Sequence, residues 1–584
     1  MERVAGSGYT DEANVQIVIA LMKHHGVCRV VVSPGATNIT FVASVQQDPF
    51  FKVYSCVDER SAAYMACGMA AETGESVALS CTGATASRNY LPGLTEAYYR
   101  KLPVLAVTAT QHIGRIGHMV PQVIDRRTPL NDIVRLSIQC PSIYSEEDRW
   151  ACEASVNRAL LALSHHGGGP VHINLVTTYS GNFGVKELPK VQCIDRVEKG
   201  GNLPSLEGKR VAIFAGVHGV WSKRLTDAVD AFCEAYGAVV VCDQTSNYRG
   251  PHRALGALVC SQDRALLKCR DIDVLIHIGE VSGAYYWFSH GETWRVSADG
   301  EICDTFKKLR YVFEMDEATF FEEYVGIAQK KPAVANLAKE WQEADIHIRS
   351  KMPELPFSNI WVAQQTAHRL PENSVLHLGI LNTLRSWNFF ETPNSVCGYS
   401  DTGGFGIDGC VSALIGASLV SPNKLFFGVV GDLAVFYDLN SLGNRHVGGN
   451  IRLMVINNGV GTEFKNYNHK AAAFAEDADA YMAARGHFGN QSHELLKHFA
   501  QDLGFEYLSA SNKDEYLAVV ERFVDPGIRE HPILFEVFTD STDESDALKI
   551  IRSLEADVKG AAKNAVKSLL GDKGIKTAKK ILGR

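Results

Sequence analysis

The sequence has no CxxC pair and no cysteine–histidine cluster at zinc spacing, although it holds 14 cysteines. This excludes a zinc finger and a disulfide-stapled secreted scaffold. It leaves cysteine as a small core residue of a reduced, cytoplasmic protein. No run reaches the roughly 18 apolar residues that cross a bilayer. The opening MERVAGSGYTDEANVQ lacks the apolar core of a signal peptide. Charge of one sign is scarce: the net charge is −8 over 584 residues, which gives no reason to expect nucleic-acid binding. No short-period repeat is found.

What is present is ordinary globular composition, 46% hydrophobic and 21% charged. At roughly 150 residues per domain the length suits three or four domains. Short apolar, β-branched runs alternate with amphipathic stretches, the pattern of parallel sheets covered by helices. A first block, 1–185, has strands predicted at 29–33, 76–81, 103–108 and 170–175, and helices at 59–72 and 84–100. A polar linker, 186–208, leads to a second block, 205–330, with strands at 210–216, 238–243, 274–279 and 311–316. Its first turn reads AGVHG and lacks GxGxxG, so it is read as a spacer rather than a nucleotide site. A linker at 330–356 precedes a third block, 355–544, with strands at 374–380, 425–430, 451–456 and 532–538. The fold class is α/β: three doubly wound parallel-sheet domains and a basic helical tail, 545–584.

Between Lys559 and Arg584 the tail has eight basic residues against Asp572; removing this +7 from −8 leaves −15 for the rest. Val558, Ala562, Val566, Leu569 and Leu570 recur near helical spacing. Such a helix suits an anionic membrane surface, placing the protein peripherally at the inner face of the membrane, or a partner groove.

The most informative segment is FFGVVGDLAVFYDLNSL followed by IRLMVINNGVGTEF. One buried strand runs into Gly431-Asp432-Leu433 and a helix; another runs into Asn457-Asn458-Gly459. Both loops belong at the carboxyl edge of one parallel sheet, where open α/β sheets bind ligands. A carboxylate and an amide oxygen are hard ligands suited to Mg²⁺ or another divalent cation. Gly431 permits close backbone approach, and the helix start favours phosphate. Far upstream, in VDERSAAYMACGMA, Glu59 opens a small-residue helix directly after a strand. By itself it is an ordinary first-turn glutamate stabilised by the helix dipole.

The GDL…NN spacing resembles the metal–diphosphate motif of thiamine-diphosphate-dependent enzymes. The resemblance assigns the metal to Asp432, Asn458 and the backbone carbonyl of Val460, and assigns Glu59 to the cofactor pyrimidine as the activating carboxyl group. Within the family the chain is most similar to the menaquinone-pathway 2-succinyl-5-enolpyruvyl-6-hydroxy-3-cyclohexene-1-carboxylate synthases, over residues 29–540. VVSPGATN, DERSAAYMACGMA, CTGATA, SDTGGFGIDG, GDLAVFYDLNSL and NNGVGTEF carry this likeness. It implies cofactor contacts at Thr82, Gly83, Gly406, Gly431 and Leu433, an apolar prop at Ile407, a backbone carbonyl from Phe405 and an active-site phenylalanine at Phe464. It places Gln122 and Arg385 at the substrate, with Gln111, His112 and His118 in the loop where relatives keep acid–base groups. For each histidine a plain surface role is an equally good reading.

The departures concern charge. Thr37, Gln111, Thr402 and Ala284-Tyr285 stand where that branch has basic residues. Buried cations are costly unless they meet anions, so their joint loss argues against a dianionic acceptor. The resemblance implies decarboxylation of a 2-oxo acid donor with carboligation to an unidentified acceptor carbonyl or alkene, in a homodimer or homotetramer. The alternatives are simple decarboxylation, as in phosphonopyruvate decarboxylases, or a non-catalytic scaffold that keeps the fold.

Overall fold

The computed structural model describes residues 8–262, 267–286, 288–328, 335–487 and 492–555. Internal contacts divide the chain into two compact units: 1–201 with 293–295 and 299–314, and 202–292 with 296–298 and 315–584.

The first unit is built on a six-stranded parallel sheet, in spatial order Lys52–Ser55, Arg29–Val32, Val77–Cys81, Val104–Thr110, Val171–Val176, Leu136–Cys140. Its central strands are buried at every residue because helices cover both faces, which is why they read as unbroken apolar runs. The chain leaves Arg29–Val32 for the edge strand Lys52–Ser55 and returns to Val77–Cys81 on the other side. The loops after Arg29–Val32 and Val77–Cys81 therefore flank a topological switch point.

The second unit holds the other six-stranded parallel sheet, in order Cys397–Tyr399, Val375–Leu378, Phe426–Gly431, Ile451–Asn457, Ile533–Phe538, Glu506–Ala510. Its switch point lies between Val375–Leu378 and Phe426–Gly431. A seven-stranded sheet runs Arg253–Leu255, Val239–Cys242, Val211–Ala215, Asp271–Ile278, Ser289–Ser297, Leu309–Glu314, Asp195–Glu198. The three predicted sheets are thus present, and the predicted strands fall within them.

Four expectations need correction. The stretch 186–208 is not a bare linker, because Asp195–Glu198 pairs in parallel with Leu309–Glu314. Leu309–Glu314, expected in the second block, groups by internal contacts with the first unit. The helix expected over 84–100 is two, Thr85–Asn89 and Leu91–Arg100, with Pro92 in the first turn of the second. Residue 545 is not the start of a tail, since helix Ser541–Arg552 runs through it and buries Ala547, Leu548 and Ile551. The amphipathic pattern beyond 555 lies outside the described residues. Among the described residues no helix is long and apolar enough to cross a membrane.

Candidate active site

At the switch point of the second unit, strand Phe426–Gly431 delivers Asp432 to the first turn of helix Asp432–Tyr437. Asp432 is buried, and its Oδ2 accepts the Gly459 N–H at 3.1 Å. Burial pushes its carboxyl up to about 7. Among the described residues no side-chain cation pairs with it. The next strand, Ile451–Asn457, separates two neighbouring asparagines. Asn457 is buried and donates Nδ2 to Glu536 Oε1 at 2.6 Å, a contact inside the sheet. Asn458 is the first residue beyond the strand and lines a cleft of about 130 Å³ with Asp432 and Val460. Three hard oxygen donors are therefore available in one cleft: a carboxylate, an amide and a backbone carbonyl. They fit a divalent cation, which would supply the charge that buried Asp432 lacks.

Gly431, Leu433, Ile407 and Phe464 line the same cleft. Phe405 and Arg385 do not; they line an adjoining cavity of about 400 Å³, and Leu381 lines both. Gly406 lines a third cavity, with Asp401 and Asp408. Arg385 is not free to meet a ligand. Its guanidinium holds Glu463 by two bonds of 2.8 and 3.0 Å. Glu463 lines the cleft itself and was missed in the sequence, where an acid beside Phe464 in NNGVGTEF was the available signal.

In the first unit, Asp58 caps helix Glu59–Thr73 by accepting the Arg60 and Ser61 N–H groups, so Glu59 stands at a fixed helix start. Asn89 Nδ2 donates to Glu59 Oε2 at 3.3 Å. The switch-point loops are stitched together: Thr37 and Thr82 hydroxyls lie 2.6 Å apart, and Gly83 N–H donates to Thr37 Oγ1 at 3.1 Å. Thr37, at a position expected to be basic, is a buried cross-link. A Cβ on Gly83 would lie 3.0 Å from the carbonyl oxygen of Gln122, whose φ is +63°. Gln122, His112 and His118 are exposed. His112 Nδ1 accepts the Gly114 N–H at 3.1 Å, which caps the turn Ile113–Arg115. Gln111 donates to the Tyr179 hydroxyl at 2.9 Å and accepts from Arg115. Arg115 thus supplies a cation beside a position that lost one, another residue the sequence reading passed over.

A family profile described as thiamine pyrophosphate enzyme, N-terminal TPP binding domain, matches residues 14–128. A 2-succinyl-5-enolpyruvyl-6-hydroxy-3-cyclohexene-1-carboxylate synthase of Phocaeicola vulgatus is 30% identical over 562 residues, 93% of this chain and 98% of that one. Synthases of the same description from Bacteroides fragilis and Bacteroides thetaiotaomicron are also 30% identical, with the same coverage. The chain belongs to the thiamine-diphosphate-dependent enzymes. Among solved structures, a thiamine diphosphate-dependent 4-hydroxybenzoylformate decarboxylase of Rhodococcus jostii RHA1 is 16% identical, with a TM-score of 0.40 over 90% of this chain and 99% of that one.

The positions expected to be basic have apolar or buried surroundings. Thr402 is buried, and Ala284 and Tyr285 line the 400 Å³ cavity where cations were expected.

Proposed function

We propose that the chain decarboxylates a 2-oxo acid and transfers the remaining fragment to an acceptor carbonyl or alkene, using thiamine diphosphate held through Mg²⁺. The observation that carries this reading is the cleft at the second unit's switch point, which buried Asp432, Asn458 and Val460 line together. These three would ligate the metal, with Gly431 and Leu433 beside the diphosphate. Ile407 and Phe464 would shape the apolar part of the cleft around the cofactor, with Phe405 and Gly406 directly before Ile407 in the chain. Thiamine diphosphate, when bound, supplies the electron sink for breaking the bond to CO₂. Glu59 would hold a proton at the cofactor pyrimidine, and Thr82 and Gly83 would be further cofactor contacts. Gln111, Gln122, His112 and His118 are the candidate groups for binding substrate and moving protons at it.

Glu59 stands among exposed apolar side chains. Val57 is 77% exposed, and Tyr54, Tyr64 and Met65 are also open to solvent. An exposed edge strand with such neighbours is a template for association. We read this face as the surface through which a homo-oligomer would cover Glu59.

The test is Glu59→Gln in the full chain with cofactor and Mg²⁺. Cofactor-dependent CO₂ release is expected to fall by at least about a hundredfold, the usual range for removing an acid–base group. Undiminished release would refute the assignment of Glu59, and a wild type without cofactor-dependent CO₂ release would favour a scaffold. Product analysis on a panel of 2-oxo acids, with and without aldehyde, ketone or alkene acceptors, separates carboligation from simple decarboxylation.

A further inference from the structure

Arg385 is where a substrate anion would be expected to dock, yet its fork is taken. Nη1 and Nη2 donate to Glu463 Oε2 at 2.8 Å and Oε1 at 3.0 Å, the two-bond geometry that suits a guanidinium and a carboxylate. Nη1 also donates to Asn382 Oδ1 at 2.8 Å. Buried Asn466 braces the pair, donating Nδ2 to Asn382 Oδ1 at 2.9 Å and to Glu463 Oε2 at 3.4 Å. Arg385 projects from helix Asn382–Trp387, anchored by buried Leu384 and Trp387. The remaining walls of its 400 Å³ cavity are largely aromatic and aliphatic, among them Tyr285, Tyr286, Phe389, Phe405 and Leu548. Arg552, itself partnered, is the other cation on the lining.

We propose that Glu463 determines specificity: by occupying Arg385 it makes this cavity select substrates that bring no second carboxylate. This deepens the proposed function, of which it names the substrate class. A substrate whose far end is anionic would have to displace Glu463 from Arg385. That would leave one carboxylate unpaired in a partly buried place, with two like charges side by side. An uncharged aliphatic or aromatic end meets neither cost and gains apolar contact with the walls. Discrimination of this kind uses an installed repulsion as well as an attraction. The chain has thus not only lost cations at Thr37, Gln111, Thr402 and Ala284-Tyr285; the arginine it keeps is neutralised by its own side chain.

The experiment titrates the full chain, with cofactor and Mg²⁺, with valerate and glutarate. These unreactive five-carbon probes differ by one carboxylate. The same comparison is made by CO₂ release from 2-oxovalerate and 2-oxoglutarate. The wild type is expected to prefer valerate. Glu463→Gln keeps the shape, removes the charge and should move the affinity ratio toward glutarate by at least about tenfold, as a gained charge contact does. The double variant Arg385→Met, Glu463→Gln should lose that gain. A wild type that prefers glutarate, an unchanged ratio in Glu463→Gln, or a gain that persists without Arg385 would each overturn the proposal. If no 2-oxo acid yields CO₂ while the binding ratio shifts as expected, the proposed reaction fails and the specificity role stands.

Discussion

His172 lies in the buried strand Val171–Val176 with a hydroxyl on each ring nitrogen. Thr108 Oγ1 is 2.6 Å from Nε2 and Ser137 Oγ is 2.9 Å from Nδ1. Burial pushes its pKa down to about 3. An unfolded histidine takes its proton near pH 6.5. Between about pH 6.5 and 3 the unfolded chain therefore binds a proton that the folded chain refuses. Stability is lost as pH falls through that window, by up to about 1.4 kcal/mol per unit. His377, pushed down to about 4 by burial, acts with the same sign. His172→Gln should remove one such slope and leave the other. Urea midpoints measured from pH 7 to pH 4 check this; a midpoint curve parallel to wild type would mean His172 is not a source. At this scale the sequence is legible in placing Asp432 and Asn458 at neighbouring strand ends, where they line one cleft. It is not legible where a contact across the chain decides. Glu463 reads as an ordinary surface acid until Arg385, 78 positions earlier, is seen to hold it.

Helix Glu59–Thr73 owes its position to small residues. Ala62, Ala63, Ala66 and Ala70 are buried, and helix Leu91–Arg100 packs closely on them. A Cβ on Gly93 would lie 2.4 Å from the Ala63 Cβ and 2.9 Å from the Ala63 carbonyl carbon. Gly93→Ala should therefore push the helices apart, cost about 1–3 kcal/mol as overpacking does, and displace Glu59. Thermal melting together with CO₂ release checks this: a melting point and rate equal to wild type would show that the helices can yield. The elements found from sequence are the fully buried ones, such as Val104–Thr110 and Ile451–Asn457, whose apolar runs allow little else. Those missed are short or half-exposed: Asp195–Glu198 carries three charges in four residues, and Glu506–Ala510 is only partly buried. Their pairing is decided by the neighbouring strand, so local pattern does not reveal it.

Across the whole molecule, the proposed reaction needs Glu59 and Asp432 at one cofactor, and they stand on different compact units. The exposed apolar face around Glu59 is the argument that two copies of the chain supply them together. That reading makes a specific demand. Glu59→Gln and Asp432→Ala should each be inactive alone, the first for lack of the pyrimidine carboxyl and the second for lack of the metal ligand. If each cofactor lies between two copies, a mixed dimer holds one doubly defective site and one intact site. Random exchange of equal amounts makes half the dimers mixed, so co-expression should restore about a quarter of wild-type CO₂ release. If each chain completes its own site, every site in the mixture carries one defect and nothing returns. The measurement is the rate of the co-purified mixture, with each variant separately tagged so that mixed dimers are shown to form. Mixed dimers without activity would mean that Glu59 and Asp432 of the same chain serve one cofactor.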